Sequence, residues 1–120
     1  MVVTSTRAGK SKGQGFQKEI VQKLRKKFGQ DKGIESCFEG NIQAQVMGMK
    51  GVDIKLEGDA AKLIPFSIEA KRTERTNVWQ WIAQAESNAD SYGIPLVVFK
   101  RNRSGVYAII EFDKLLWLMD

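Results

Sequence analysis

The sequence predicts an α/β domain in which helices flank one small central mixed β-sheet. Three observations lead to this fold class: two stretches have a helical apolar period, several short ones alternate apolar and polar residues, and turn-forming residues separate them. The resulting order, α-β-β-β-α-β-β-α, is typical of a sheet covered by helices. Because 120 residues, 42% of them apolar, suffice for one core, we expect a single domain over residues 15–120.

The N-terminal part is expected to hold a basic arm and the first helix. Residues 1–14 are rich in Ser, Thr, Gly and Lys, which predicts a flexible arm. The helix is expected to begin at Gly15 and to end with Gly29 as its C-cap. A polar connector and a short edge strand within residues 37–49 follow. The apolar stripe of this helix consists of Phe16, Ile20, Val21, Leu24 and Phe28.

Two short strands then carry charged side chains on one face. Asp53 alternates with apolar residues in the segment 52–57, and Glu69 and Lys71 do so in the segment 66–71. Since residues two apart on a strand share a face, Glu69 and Lys71 lie together. A turn at 58–62 would join the strands, and a hairpin would let Asp53 face this pair.

The second long helix is expected over residues 78–92, ended by Gly93 and Pro95. Its expected apolar stripe is Val78, Ile82, Ala85, Ala89 and Tyr92, and its polar stripe is Gln80, Gln84, Ser87 and Ser91. Trp79 and Trp81 are two apart and cannot share a helix face. Aromatic core packing is the favoured role for each, and a tryptophan that lies outside the core would rest on DNA or a second subunit.

The C-terminal part is expected to add two strands and a helix. The apolar run 96–99 indicates a buried strand, residues 101–105 a turn, and residues 106–110 the next strand. Asp113 is expected to N-cap the last helix, which contains Leu115, Leu116 and Leu118.

Composition excludes several kinds of chemistry. The chain has no histidine, which rules out Ser-His-Asp and Cys-His nucleophile systems and histidine-ligated zinc. Cys37 is the single cysteine, so no intramolecular disulfide can form, and we expect it to be a small buried residue in a reducing compartment. No apolar run approaches the ~20 residues of a membrane span, and we expect a cytoplasmic protein without a membrane partner.

The distribution of charge favours a polyanionic partner. The net charge is +5, and residues 1–27 contain eight basic residues and one acid, Glu19. Separated basic clusters suit the long backbone of a nucleic acid, although a basic surface that only aids solubility is the alternative. The expected DNA-binding residues are Lys10, Lys12, Lys50, Arg72, Arg75, Lys100, Arg101, Asn102 and Arg103.

The chemistry left to such a chain is metal-assisted phosphodiester hydrolysis. Magnesium needs only one or two protein carboxylates and keeps several waters, which Asp53 and Glu69 would satisfy, with the Ala70 carbonyl as a further ligand. Lys71 would orient the attacking water or stabilise the developing negative charge. The alternative is that Glu69 and Lys71 form this triplet by chance, because acid-x-lysine triplets are common on the solvent face of strands.

A wider set of residues resembles the PD-(D/E)xK nuclease superfamily, and in particular small phage-encoded endonucleases related to Holliday junction resolvases. The resemblance covers residues 13–118 and is carried by segments 51–54, 65–71, 84–86 and 95–103, together with Trp79. It implies a restriction endonuclease-like fold, Mg²⁺ or Mn²⁺ at the catalytic residues Asp53 and Glu69, a catalytic Lys71, and Gln84 lining the site from the helix as the fourth catalytic residue. Val52 stands where the superfamily's signature proline would be.

Relatives of this kind often place a further metal ligand on the first helix. Here Gln17 and Glu19 are both candidates, and the sequence leaves the choice open; a solvated Glu19 is the alternative. The resemblance implies a Mg²⁺-dependent DNA endonuclease that resolves four-way junctions as a homodimer, acting in the host cytoplasm if phage-encoded. The alternatives are a nickase or restriction-like nuclease on other DNA structures, and a non-catalytic basic nucleic-acid-binding module.

Overall fold

The computed structural model describes residues 2–32, 42–46, 51–89 and 93–119, with the side chains of residues 13–28 in the first helix. Its helices and strands confirm the predicted α/β class and the predicted order, with one short helix, α2, added where the sequence predicted a turn. The elements are α1 (Val2–Lys32), β1 (Ile42–Ala44), β2 (Ile54–Leu56), α2 (Asp59–Leu63), β3 (Phe66–Arg72), α3 (Val78–Asn88), β4 (Ile94–Lys100), β5 (Tyr107–Ile109) and α4 (Phe112–Leu118).

The chain divides into two compact units. The first unit comprises Met1–Met49 and Asp53–Ile64, and the second comprises Lys50–Val52 and Pro65–Asp120. The first therefore holds α1, β1, β2 and α2, and the second holds β3, α3, β4, β5 and α4.

Helix α1 is longer than the sequence predicted. It begins at Val2 instead of Gly15 and continues past Gly29 to Lys32. Glycine costs only about 1 kcal/mol within a helix, and no proline interrupts residues 2–32, so flanking helix-forming residues can carry the helix through. The flexibility of residues 1–14 stays a prediction, and Cys37 lies outside the described residues.

In the first unit, α1 packs on β1 through the predicted stripe. Phe16, Ile20 and Val21 are buried, whereas Leu24 and Phe28 are only half-buried. Strand β1 pairs with β2 in an antiparallel ladder, with the register Ile42↔Leu56 and Ala44↔Ile54. Arg25 joins helix and strand, because its Nε and Nη2 donate to the Ile42 carbonyl at 3.1 and 2.6 Å.

The expected hairpin between the Asp53 and Glu69 strands is wrong. Strand β2 pairs with β1, and the ladder that the structure describes for β3 is with β4. The physical reason lies in the connection. Residues 59–63 form α2, which buries Ala60 and is followed by the buried Ile64, so this connection packs as a short helix instead of closing a tight turn.

The second unit is built on a mixed three-stranded sheet in the order β3-β4-β5. Strands β3 and β4 are parallel, with a register from Phe66↔Ile94 to Arg72↔Lys100, and β5 runs antiparallel to β4. Parallel neighbours need a crossover, which α3 provides while packing on both strands.

The buried face of α3 differs from the predicted stripe. Trp81 and Ala85 are buried with Val97 of β4, whereas Val78 is exposed. Trp81 is thus the core tryptophan, with its ring centroid 5.5 Å from that of Phe99. The helix also ends earlier than predicted, at Asn88.

The start of α4 also differs. Glu111 occupies the N-cap position, and Asp113 lies in the first turn. Asp113 still suits that turn, because a carboxylate interacts favourably with the positive end of the helix dipole. No helix in the described part of the chain is long and apolar enough to cross a membrane.

Gly93 directly precedes β4 and lies against Ser67 of β3, which leaves no space for a side chain. A Cβ at this position would overlap the Ser67 Oγ, and it would lie 3.0 Å from the Ser67 Cβ and 3.1 Å from its backbone nitrogen. Ser67 is buried, so it has little space to move. Gly93→Ala is therefore expected to lower the free energy of unfolding by about 1–3 kcal/mol, measured by urea denaturation.

Gly15→Ala is the matched control for this substitution. A Cβ at Gly15 meets nothing within 4 Å, and an alanine in a helix interior is favoured over glycine by about 0.5–1 kcal/mol. The two variants should therefore shift stability in opposite directions. Equal stability of Gly93→Ala and the parent chain would contradict the close approach of the two strands.

Candidate active site

Glu69 and Lys71 lie on the face of β3 that α3 covers. The Glu69 side chain is only 2% exposed, and Ile68 on the opposite face is equally buried, so β3 is covered on both sides at this point. Lys71 is half-buried, two residues nearer the carboxyl end of the strand. A carboxylate is rarely buried in a chain of this size unless its oxygens are hydrogen-bonded, so its partners matter.

Two amide side chains of α3 hold these charged groups. The Asn88 Nδ2 donates to the Glu69 Oε1 at 3.2 Å, and the Lys71 Nζ donates to the Gln84 Oε1 at 2.5 Å. Gln84 and Asn88 are four residues apart and so lie on one face of the helix. A polar row on α3 therefore runs along the polar row on β3, and each charged group meets a neutral amide.

The N-cap and the buried face of α3 set how this helix lies on the sheet. Asn77 occupies its N-cap, and the Asn77 Oδ1 accepts a hydrogen bond from the Gln80 backbone nitrogen at 3.4 Å. The cap begins the helix at Val78, and burial of Trp81 and Ala85 sets its rotation over the sheet. This rotation directs Gln84 and Asn88 toward β3.

Sequence reasoning missed Asn88. The expected polar stripe contains Gln84 but runs through Ser87 and Ser91, because the periodicity predicts Val78 and Ile82 on the buried face. Counting four residues on from Gln84 would have found Asn88. The sequence signal for Asn88 is that two amide residues lie one turn apart on the helix that follows the acid-x-lysine strand.

Asp53 belongs to the first unit. It directly precedes β2, and its carbonyl accepts a hydrogen bond from the Gln45 nitrogen at 2.7 Å, which extends the ladder between β1 and β2. Gly51, two residues earlier, has φ of 104°, a conformation that glycine adopts far more readily than other residues. The half-buried Asp53 thus lies between a glycine-dependent bend and a paired strand.

The two candidates on α1 differ in environment. Gln17 is buried on the packed face of the helix, next to Phe16, whereas Glu19 forms an ion pair with Lys23 at 3.5 Å. That ion pair joins residues four apart on the exposed side of α1 and is of a kind common on helix surfaces. Gln17 is therefore the candidate whose side chain is buried.

Several basic residues lie together at the carboxyl ends of the parallel strands β3 and β4, either as the last residue of a strand or just after it. Arg72 donates through Nη2 to the Asn102 Oδ1 at 2.5 Å, and its Nη1 is 3.3 Å from the Glu74 Oε2. The Thr73 nitrogen also donates to the Lys100 carbonyl at 3.2 Å. The structure thus brings together Arg72, Lys100 and Asn102 from the predicted DNA-binding residues, with Arg75, Arg101 and Arg103 exposed in the adjoining segments.

Other predicted binding residues lie elsewhere. Lys10 and Lys12 are part of α1 in the first unit, and Lys50 is outside the described residues. Ala70 lies between Glu69 and Lys71 on β3, where its register partner is Val98. The predicted role of its carbonyl stays a prediction.

Within the described ranges, no group of three or more Asp, Glu, Cys or His side chains lies close enough to hold a metal ion. The donors that the chain offers are carboxylates, amides and carbonyls, because it contains no histidine. These hard oxygen ligands suit Mg²⁺ or Mn²⁺, and Mg²⁺ commonly completes its octahedron with water beside only one or two protein carboxylates. The donor set therefore fits such an ion.

An α/β fold that carries an acid-x-lysine triplet on a covered strand is compatible with the class of PD-(D/E)xK nucleases. The chain belongs to the family described as "Phage putative PDDEXK endonuclease", whose model matches residues 8–119. This match confirms the resemblance found in the sequence and makes the chain a phage-type PD-(D/E)xK nuclease. No curated protein and no solved structure matches it.

Proposed function

We propose that this nuclease is a divalent-metal-dependent DNA endonuclease that resolves four-way junctions. The observation that carries the proposal is the buried Glu69 carboxylate with Lys71 two residues on, each hydrogen-bonded to an amide of α3. Structural burial alone would favour an apolar residue at this position. A carboxylate kept there at a desolvation cost is typical of a functional site.

Asp53 and Glu69 are the proposed metal ligands, with the Ala70 carbonyl as a further one. Of the two candidates on α1, Gln17 is better supported than Glu19, because Glu19 is paired with Lys23 on the helix surface. A bound Mg²⁺ or Mn²⁺ would supply a more acidic water and charge relief for the phosphate oxygens. Support for Asp53 comes from the sequence pattern and the family.

Lys71 is the proposed catalytic cation. Its ammonium group donates to the Gln84 Oε1, which restrains a flexible side chain and leaves its other two protons for water or a phosphate oxygen. A positioned cation stabilises negative charge that develops on the phosphate in the transition state. Gln84 would thus act by holding Lys71 at the site.

Asn88 is the proposed positioning residue for Glu69. Asn88→Ala removes one donor from a buried carboxylate, so we expect a loss of about 1–3 kcal/mol in unfolding free energy. We also expect a roughly tenfold higher Mg²⁺ concentration for half-maximal cleavage, because outer hydrogen bonds orient metal ligands. Ser87→Ala, at an exposed neighbouring position of α3, is the control. An unchanged Mg²⁺ requirement in Asn88→Ala would contradict the positioning role.

The proposed substrate is a four-way junction held by its phosphates. The basic residues at the carboxyl ends of β3 and β4 lie beyond Lys71 along the same strands, which suits a backbone grip that reads shape more than sequence. The remaining basic residues, Lys10, Lys12 and Lys50, are proposed to extend this grip. As a phage DNA enzyme, the protein would act in the cytoplasm of the infected cell.

A cleavage gel on three substrates tests the proposed function. A four-way junction, a flap and a linear duplex are incubated with the protein, with and without Mg²⁺. Symmetric cuts in the junction that need Mg²⁺ are expected. Equal cutting of linear duplex would favour the nickase or restriction-like alternative. Salt-sensitive binding with no products in any metal would favour the non-catalytic module.

The proposed homodimer has a candidate interface on α4. The apolar side chains of Phe112, Leu115, Leu116 and Met119 recur at helical spacing and leave this stripe exposed, up to 71% at Met119. Exposed apolar stripes of this kind are characteristic of protein interfaces. A second copy would bury the stripe and supply the second active site that a two-fold junction needs.

Leu116→Glu is expected to convert the dimer into a monomer, because it places a charge in the centre of the proposed apolar interface. Light scattering after size exclusion measures the mass. Val46→Glu is the control, since Val46 is an apolar residue that is 70% exposed but lies after β1, outside the stripe. A parent chain that is already monomeric at micromolar concentration would contradict the proposed dimer.

A further inference from the structure

Glu74 connects the segments that follow β3 and β4. Its Oε2 is 3.3 Å from the Arg72 Nη1 and accepts a hydrogen bond from the Asn102 backbone nitrogen at 2.6 Å. Arg72 in turn donates through Nη2 to the Asn102 Oδ1 at 2.5 Å. The three residues form a closed ring of contacts, the Glu74 ring, at the carboxyl end of the parallel strand pair.

The turn beside this ring contains one unfavourable backbone conformation. The Ser104 nitrogen donates to the Arg101 carbonyl at 3.2 Å, which closes a four-residue turn, and Arg103 within it has φ of 61°. This left-handed conformation is uncommon for residues with a Cβ and is normally occupied by glycine. The Ser104 Oγ supports the turn from within, where it accepts from the Arg101 nitrogen at 3.0 Å, and the hydrogen bond from Asn102 to Glu74 supports it from outside.

The basic residues around the Glu74 ring divide into an inner and an outer group. The Arg72 side chain is only 15% exposed and is engaged by Glu74 and Asn102. Arg101 and Arg103 are exposed at the turn. An acid among bases would weaken DNA binding if it acted by charge alone, so its position beside the turn calls for another role.

We propose that Glu74 is a positioning residue for DNA binding. It holds the turn 101–104 in the conformation that presents Arg101 and Arg103 to a phosphate backbone, and Arg72 acts as the internal cation of the ring. The inference rests on the proposed action of this nuclease on DNA. It assigns a role to an acid that sequence patterns would treat as a solvated charge.

Two substitutions at Glu74 separate positioning from charge. Glu74→Ala removes both the negative charge and the acceptor for the Asn102 nitrogen. Glu74→Gln removes the charge but keeps an oxygen that can accept this hydrogen bond. Electrostatics alone predicts tighter DNA binding for both variants. Positioning predicts weaker binding for Glu74→Ala only.

Affinity for a fluorescent four-way junction is measured in EDTA at several salt concentrations. Glu74→Ala is expected to bind about three- to tenfold more weakly, with a salt slope shallower by about one to two phosphate contacts. Glu74→Gln should bind at least as tightly as the parent chain. Glu86→Ala, at an exposed acid of α3, is the matched charge control and should bind as tightly or more tightly. Equal or tighter binding by Glu74→Ala would overturn the proposal.

Limited trypsin digestion gives a second measurement that needs no DNA. Trypsin cleaves after Arg101 and Arg103 only when the turn opens, so Glu74→Ala should be cut there several-fold faster and Glu74→Gln at the parent rate. An unchanged rate in Glu74→Ala would count against the proposal. Because both measurements omit metal, a parent chain that fails to cut DNA refutes the proposed nuclease activity without deciding the role of Glu74.

Discussion

Glu69→Gln is expected to reduce cleavage in Mg²⁺ by at least about a thousandfold while junction binding survives. The substitution keeps the size of the side chain and an oxygen that can still accept from the Asn88 Nδ2, so the packing between β3 and α3 should persist. It removes the negative charge that the proposed metal site needs. Loss of charge stabilisation in a transition state of this kind costs several kcal/mol.

Asp53→Asn should have the same effect, because it removes the second proposed carboxylate ligand. Single-turnover cleavage of a four-way junction measures the rate, and gel shift in EDTA measures the binding. Glu57→Gln is the matched control, since Glu57 is an exposed acid paired with Lys55 at 3.3 Å. Unimpaired cleavage by either Glu69→Gln or Asp53→Asn would rule out the proposed site.

Lys71→Met is expected to slow the cleavage step by about a hundred- to a thousandfold with little change in junction affinity. Methionine keeps the length and apolar stem of lysine but removes the ammonium group that Gln84 restrains. A positioned donor to the developing negative charge is worth about this factor in rate. Single-turnover rates at saturating enzyme separate the chemical step from binding.

Lys55→Met is the control for Lys71→Met, because Lys55 is an exposed lysine on β2 that pairs with Glu57. It should cleave at the parent rate. If Lys71→Met instead loses its activity wholly through weaker binding, Lys71 is a phosphate contact and the proposed catalytic role fails. The cleavage rate of Gln84→Ala should lie between those of Lys71→Met and Lys55→Met, since this substitution frees Lys71 without removing its charge.

Several differences between expectation and structure have one physical cause. Periodicity shows which residues can share a face, but it does not choose between two overlapping apolar stripes. On α3, both Val78 with Ile82 and Trp81 with Ala85 offer such a face. The larger tryptophan ring packs against Phe99 and Val97, and this burial decides the rotation that brings Gln84 and Asn88 to β3.

Connections were harder to predict than strands for a related reason. Gly58 precedes the segment 59–63, and Asp59 is its first residue. These residues suit a turn as well as a short helix. The helix forms because Ala60 and Ile64 become buried, and that gain depends on residues far away in sequence. In the same way, the strand that pairs in parallel with β3 is β4, which follows α3 in the sequence.

The sequence by itself determined the class of protein and the kinds of side chain that its site can use. Absence of histidine left carboxylates, amides and lysines, and alternation placed Glu69 and Lys71 on one face of one strand. These are local properties, set by composition and by the two-residue period of a strand. Only the tertiary structure decided that Glu69 is buried, that Asn88 and Gln84 hold the charged pair, and that Glu74 joins Arg72 to the turn at Asn102. Such contacts link residues 13 to 28 positions apart, and only packing brings them together.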